Sequence, residues 1–168
     1  MKQLLDKAKE YQRNYKIIGR AHYIAWEEAA RKNNWLGIPV VIATTTVGTA
    51  IFGTIQDNPV IGVKIFAGLL SLFAGILSSL QTVLKYSELA EKHKTAGARY
   101  TSARRRLDIF ILKYENQSRP NKKQALRELE EIANLLGELA EESPSIPDKV
   151  YDKAEKEFLM AAEMSLKK

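Results

Sequence analysis

At 168 residues with 45% hydrophobic side chains the chain is long enough for one domain with its own core, and its lack of cysteine excludes disulfides, thiolate nucleophiles and thiolate metal sites. The net charge of +6 is uneven: residues 1–116 hold 17 Lys and Arg against 9 acids, and residues 117–168 hold 9 against 11. The basic character belongs to the first two thirds, and only two histidines, His22 and His93, are present for acid–base work near neutral pH.

Taken in chain order, residues 1–34 carry apolar positions at alternating three- and four-residue spacing: Leu4, Ala8, Tyr11, Tyr15, Ile18, His22, Ala25 and Ala29. This spacing predicts an amphipathic helix outside the membrane. Residues 35–55, WLGIPVVIATTTVGTAIFGTI, are 21 residues without a charge, and residues 65–84, IFAGLLSLFAGILSSLQTVL, are 20 more. Each meets the roughly 20 residues a helix needs to cross about 30 Å of hydrocarbon. A buried helical pair in a soluble bundle is the competing reading, but such core helices are shorter and keep a polar stripe.

Between the two runs, in residues 56–64, Asn58 suits an N-cap and Pro59 the first helical position. Lys64 suits a side chain that snorkels to headgroups, or else a ring of lysines at a pore mouth. The two spans are expected to form an antiparallel hairpin. Lys16, Arg20, Arg31 and Lys32 precede it, and Lys85, Lys92, Lys94, Arg99 and Arg104 follow it. That bias places both termini on the cytoplasmic side. Trp35 suits the headgroup boundary, and the first run reads as a retained span and not as a signal peptide.

From Ile65 the series Gly68, Leu72, Gly75, Ser79, Thr82, Tyr86, Leu89, His93, Ala96, Tyr100, Ala103, Leu107, Phe110 and Tyr114 keeps the same spacing. It predicts one helix of about 50 residues, about 75 Å long, with a continuous seam. Laid against residues 1–34 in antiparallel fashion, this stalk of residues 85–116 puts His22 level with residue 97 and Tyr15 level with residue 104. A third helix is expected over 120–142, with Leu126, Leu129, Ala133, Leu136 and Ala140 on its apolar face. A fourth follows the Ser143-Pro144-Ser145-Ile146-Pro147 break over 148–166, with Tyr151, Ala154, Phe158, Ala161 and Ala162. The expected fold class is therefore an all-α membrane protein: a two-transmembrane helical hairpin with long cytoplasmic extensions and two C-terminal amphipathic helices.

No catalytic constellation is visible. The pairs Glu27-Glu28 and Glu141-Glu142 are sequence neighbours that point apart on a helix, and no Gly-rich phosphate loop joins a strand to a helix. The reading is of a non-enzyme without cofactor or metal site. His22 and His93 both fall on the seam, and three readings stay open: a packed neutral pair, a pH-sensitive contact, or a metal pair. Lys85, Lys92, Arg99, Arg106 and Lys113 recur every seven residues, with Arg104 and Arg105 thickening the stripe. Such a stripe is a solvated flank, a contact for anionic lipid, or a surface for an acidic partner. The absence of a reading motif and the acidic helices around it argue against nucleic acid.

Within the spans there is no Asp, Glu, Arg or His, which argues against a proton relay or an ion-coupled carrier. The spans are instead rich in small and hydroxyl residues: Thr45, Gly48 and Thr49 in the first, and Gly68, Ser71, Gly75, Ser79 and Thr82 in the second. These residues suit close helix packing, or the lining of a water path between several assembled copies. A path needs an oligomer, because two helices cannot enclose one.

Two spans, helical extensions on both sides, and the pattern Ala90-x-x-His93-x-x-Ala96-x-x-x-Tyr100 directly after the second span resemble the SLATT family, a two-transmembrane effector domain associated with SMODS nucleotidyltransferases and SLOG sensors. The resemblance covers nearly the whole chain. It implies a homo-oligomeric pore-forming effector of the prokaryotic inner membrane, acting in anti-phage defence by abortive infection, with a nucleotide-signalling or sensor protein encoded nearby as partner. The alternative is a non-conducting two-span scaffold whose basic stalk recruits a cytoplasmic protein.

Overall fold

A computed structural model of the protein describes residues 1–54 and 61–166. Those residues form five helices and no strand: α1 (Lys2–Thr54), α2 (Ile61–Leu84), α3 (Tyr86–Glu115), α4 (Lys122–Glu142) and α5 (Asp148–Leu166). The expected cap at Asn58 and Pro59 lies outside the described residues. The chain divides into two compact units, one of Met1–Glu27 with Ala90–Lys168, the other of Glu28–Leu89.

In the first unit the N-terminal half of α1 runs antiparallel to α3. Ala8, Tyr100, Ala103, Leu107, Phe110 and Tyr114 join Ala125, Leu129, Ile132, Leu136 and Leu139 of α4 in one core. A second core joins Ile17, Ala21, Ile24 and Ala25 to Val150 and Ala154 of α5. Phe110, Leu107, Leu136 and Leu139 are fully buried, each contributing roughly 1.5–3 kcal/mol of burial. Asn121 caps α4, its side chain accepting from the backbone N–H groups of Lys123 and Gln124 at 3.1 Å.

The faces of α4 and α5 differ from those expected. In α4, Leu126 is exposed and Ala125, Ile132 and Leu139 are buried beside Leu129 and Leu136. The buried face is turned by about one residue, because Leu126, Ile132 and Leu135 give a wide apolar arc from which the sequence does not select one edge. In α5, Val150 is buried and Ala161 is exposed.

The α1–α3 register also differs, by one helical turn: His22 meets His93, and Tyr15 stacks on Tyr100. The close approach of two glycines fits this offset. A Cβ on Gly97 would meet the Tyr23 ring at 3.2 Å and the Gly19 carbonyl oxygen at 3.3 Å, and a Cβ on Gly19 would meet Tyr100 Cβ at 3.4 Å. Only this register places glycine against glycine, so backbone contact fixes what seam periodicity leaves open.

The expected 50-residue helix from Ile65 is interrupted. Lys85 takes a positive φ of 46, which divides α2 from α3 at this one residue. For a residue with a Cβ this costs on the order of 1–2 kcal/mol. The Lys85 N–H still donates to the Gln81 carbonyl at 3.2 Å and the Leu89 N–H to the Lys85 carbonyl at 3.0 Å, so the helical stretch Ile61–Glu115 runs on past it. The seam does not cross the break. Beyond Lys85 the expected positions are buried from His93 to Tyr114, whereas before it Ile65, Gly68, Leu72, Gly75, Ser79 and Thr82 are all exposed. The sheltered stripe of α2 is Ala67, Leu70, Ala74, Leu77 and Gln81, with Ala74 buried.

The second unit has little interior. Between Glu28 and Ile51 only Ala29 and Ala43 are buried, and in α2 only Ala74. Polar contacts join its helices at one end: the Gln81 side-chain amide of α2 donates to Asn33 Oδ1 of α1 at 3.2 Å, and Lys32 Nζ of α1 lies 5.5 Å from the centre of the Tyr86 ring at the start of α3. Gly37 makes room there, since a Cβ on it would sit 3.1 Å from Gln81 Nε2.

Candidate functional site

Two helical stretches are long and apolar enough to cross a membrane, and in each the most apolar 18-residue window is only 6% buried. The core helix of a soluble protein would show the reverse. Trp35 is 76% exposed and Leu69 63%, and Val41, Ile42, Phe66, Leu72, Phe73 and Ile76 are all more than half exposed. Large apolar side chains left open in this number are the kind of surface that marks a contact with lipid or with another protein.

The small residues of α2 are part of this exposed surface. Gly68, Ser71, Gly75 and Ser79, with Leu72, Ile76, Leu80 and Val83, line an open groove of about 810 Å³. A Cβ on Gly48, Gly68 or Gly75 would meet no atom within 4 Å. Among the described residues nothing stands close enough to these glycines for a methyl group to meet it. The hydroxyls are turned onto their own helices: Thr44, Thr45, Thr46 and Thr49 donate to carbonyls of Val40, Val41, Ile42 and Thr45 at 2.8 Å, Ser79 to Gly75 at 2.9 Å and Thr82 to Ser78 at 3.1 Å. A hydroxyl that spends its proton this way presents a nearly apolar surface, compatible with lipid or with another helix.

The motif Ala90, His93, Ala96, Tyr100 is buried on one face of α3. Tyr100 stands in an aromatic column: Tyr11 against Tyr15 at 6.0 Å, Tyr15 on Tyr100 at 5.8 Å, Tyr100 on His22 at 5.3 Å, and His22 beside His93 at 5.2 Å between ring centres. The His22 and His93 Nδ1 atoms are 3.0 Å apart, so one carries a proton and the other accepts it. Burial, and then the charge of His93, lower His22 to about 4; burial lowers His93 as well. Burial raises the phenols of Tyr15 and Tyr100. The pair is thus a neutral packed contact at pH 7. Among the described residues no group of three His, Cys, Asp or Glu side chains gathers to hold a metal ion.

The basic stripe of α3 is exposed, and several of its members tie helices together. Arg99 pairs with Glu142, and Lys113 with Glu128 at 2.6 Å, where the Tyr114 hydroxyl also donates at 2.9 Å. Lys85 lies 4.0 Å from Glu88. Arg104 leaves the stripe: it turns between α1 and α5 with its Nε buried and 3.9 Å from Asp108.

Sequence reasoning passed over Asn33 and Gln81, the polar pair at the end of the apolar segments. Their signal was available, as uncharged amides flanking otherwise apolar runs. The fold and these surfaces define an α-helical protein with two long apolar helices whose faces are left uncovered. Set against family models, curated proteins and solved structures, the chain matches none.

Proposed function

We propose that the protein is a two-span protein of the inner membrane, with both termini cytoplasmic, that assembles into homo-oligomers through the open face of α2 and gates a pore. The observation that carries this reading is the exposure of the apolar windows of α1 and α2. Lipid covers such surface without cost, whereas water does not. Association follows from the groove along Gly68, Ser71, Gly75 and Ser79, where a helix of another copy can approach closely. The resemblance of the Ala90, His93, Ala96, Tyr100 pattern and its setting to the SLATT family supports the role of an anti-phage effector, with a sensor or nucleotide-signalling protein as the source of its trigger.

Purified protein in liposomes should release a small trapped dye, and Gly75→Leu and Thr45→Leu should abolish release. Gly75→Leu suits this test, because a Cβ there meets no atom of the described residues within 4 Å. Sealed vesicles holding assembled protein would favour the second reading, a non-conducting scaffold. One observation speaks for that reading: the threonine hydroxyls donate to their own helices, which suits packing better than the lining of a water path.

A further inference from the structure

The first unit contains a basic recess that the membrane reading does not use. Two clefts of about 580 Å³ and about 320 Å³ lie where α1, α3 and α5 meet, and they share Lys16, Arg104 and Phe158. The larger adds Arg13 with Gln12 and Asp108, and the smaller adds Arg20 with Glu157. The spacing is helical on each side: 13, 16 and 20 on α1, 101, 104 and 108 on α3, 154, 157 and 158 on α5.

The carboxylates present neutralise only part of this charge. Glu157 is engaged by Arg20 at 2.7 Å, and Asp108 accepts from the Gln12 amide at 2.5 Å. Arg13 and Lys16 pair with no carboxylate among the described residues; they lie over the Phe158 ring, 5.7 and 5.1 Å from its centre. Arg104 Nε is buried with no hydrogen-bond partner and only a 3.9 Å approach to Asp108. A buried guanidinium N–H without an acceptor is costly, and natural structures rarely leave one unless a water, an ion or a ligand supplies the acceptor.

We propose that the two clefts form one binding site for a soluble small molecule carrying two or more linked phosphates, held by Arg13, Lys16 and Arg104. Guanidinium groups match phosphate oxygens in pairs, and Lys16 serves as a point charge between the clefts. Arg13 and Lys16 without a carboxylate partner among the described residues, and Arg104 with only the distant Asp108, call for a multiply charged anion, since one carboxylate would leave part of that charge unanswered. Phe158 holds Arg13 and Lys16 by cation–π contact, which reduces the ordering needed on binding. The site lies wholly within the first unit and does not depend on whether the spans conduct.

The test is calorimetric titration of the full chain in zwitterionic lipid discs with inorganic pyrophosphate and, separately, ATP. Both should bind, and Arg104→Gln should weaken binding about tenfold or more. Arg106→Gln, an exposed residue of the α3 stripe, should change it by no more than about twofold. If Arg104→Gln fails to fold, Lys16→Gln and Arg13→Gln, whose side chains are exposed, carry the same expected loss. No binding of either probe, or equal loss in the Arg104 and Arg106 variants, would overturn the site. Phosphatidylglycerol in the discs should leave pyrophosphate binding unchanged; competition by it would assign the recess to a lipid headgroup and overturn the proposal of a soluble ligand.

Discussion

The two halves of α1 are built from similar numbers of apolar residues, yet they do opposite things with them. Up to Glu27, Ala8, Ile17, Ala21, His22, Ile24 and Ala25 are buried against α3 and α5; beyond it only Ala29 and Ala43 are buried up to Ile51. The contrast repeats across Lys85, with ten buried residues in α3 and Ala74 alone in α2. Apolar residues in the first unit, from alanines to Phe110 and Leu136, are buried against one another because burial from water is what stabilises it. In the second they point outward, and small residues occupy the positions where another helix could come close. One period of apolar residues thus codes for a core in one stretch and for an uncovered surface in the next.

The contrast is broken most severely by cavities. Leu136→Ala in the first core should cost about 2–5 kcal/mol, whereas Leu72→Ala, on the exposed face of α2, should cost less than about 1 kcal/mol; chemical unfolding in mild detergent reads both. Equal losses would mean that α2 has a packed interior after all. The histidine pair comes next. With His22 at about 4 in the folded protein against 6.5 ordinarily, the unfolded chain takes up a proton that the folded one refuses. Stability should be complete above pH 6.5 and fall by on the order of 2 kcal/mol as pH drops toward 4, with His93 adding in the same direction. Melting curves across that window should slope, and His22→Leu/His93→Leu should flatten them.

The smallest effects separate crowded from open glycines. Gly97→Ala should lose about 1 kcal/mol against the Tyr23 ring and the Gly19 carbonyl, despite the better helix propensity of alanine. Gly137→Ala, with nothing within 4 Å of the new methyl, should gain up to about 1 kcal/mol. Thermal melting distinguishes the two signs.

How far the sequence carries can be judged residue by residue. The helices and the buried face of α3 follow from spacing, because an apolar seam in water has only one way to face. The α2 face does not follow: this helix has apolar residues all round, so Ala67, Leu70, Ala74 and Leu77 compete on equal terms with Gly68, Leu72, Gly75 and Ser79. The break at Lys85 has no glycine or proline to announce it. The one-turn register of His22 on His93 depends on Gly19 meeting Gly97, a contact 78 positions apart that no local pattern encodes. The basic recess was hidden for a similar reason. Arg104 reads as part of the α3 stripe until α1 and α5 are placed beside it, and Arg13 and Lys16 read as surface until Phe158 lies under them.

The central claim is that the exposed apolar faces of the second unit meet lipid, while exposed apolar residues of the first unit meet water. Spin labels at Leu69 and at Ile109, which are 63% and 62% exposed, compare the two directly in reconstituted protein. The label at Leu69 should collide with dissolved oxygen in preference to a water-soluble nickel chelate, and the label at Ile109 should show the reverse. A Leu69 label as open to the nickel chelate as the one at Ile109 would contradict the account.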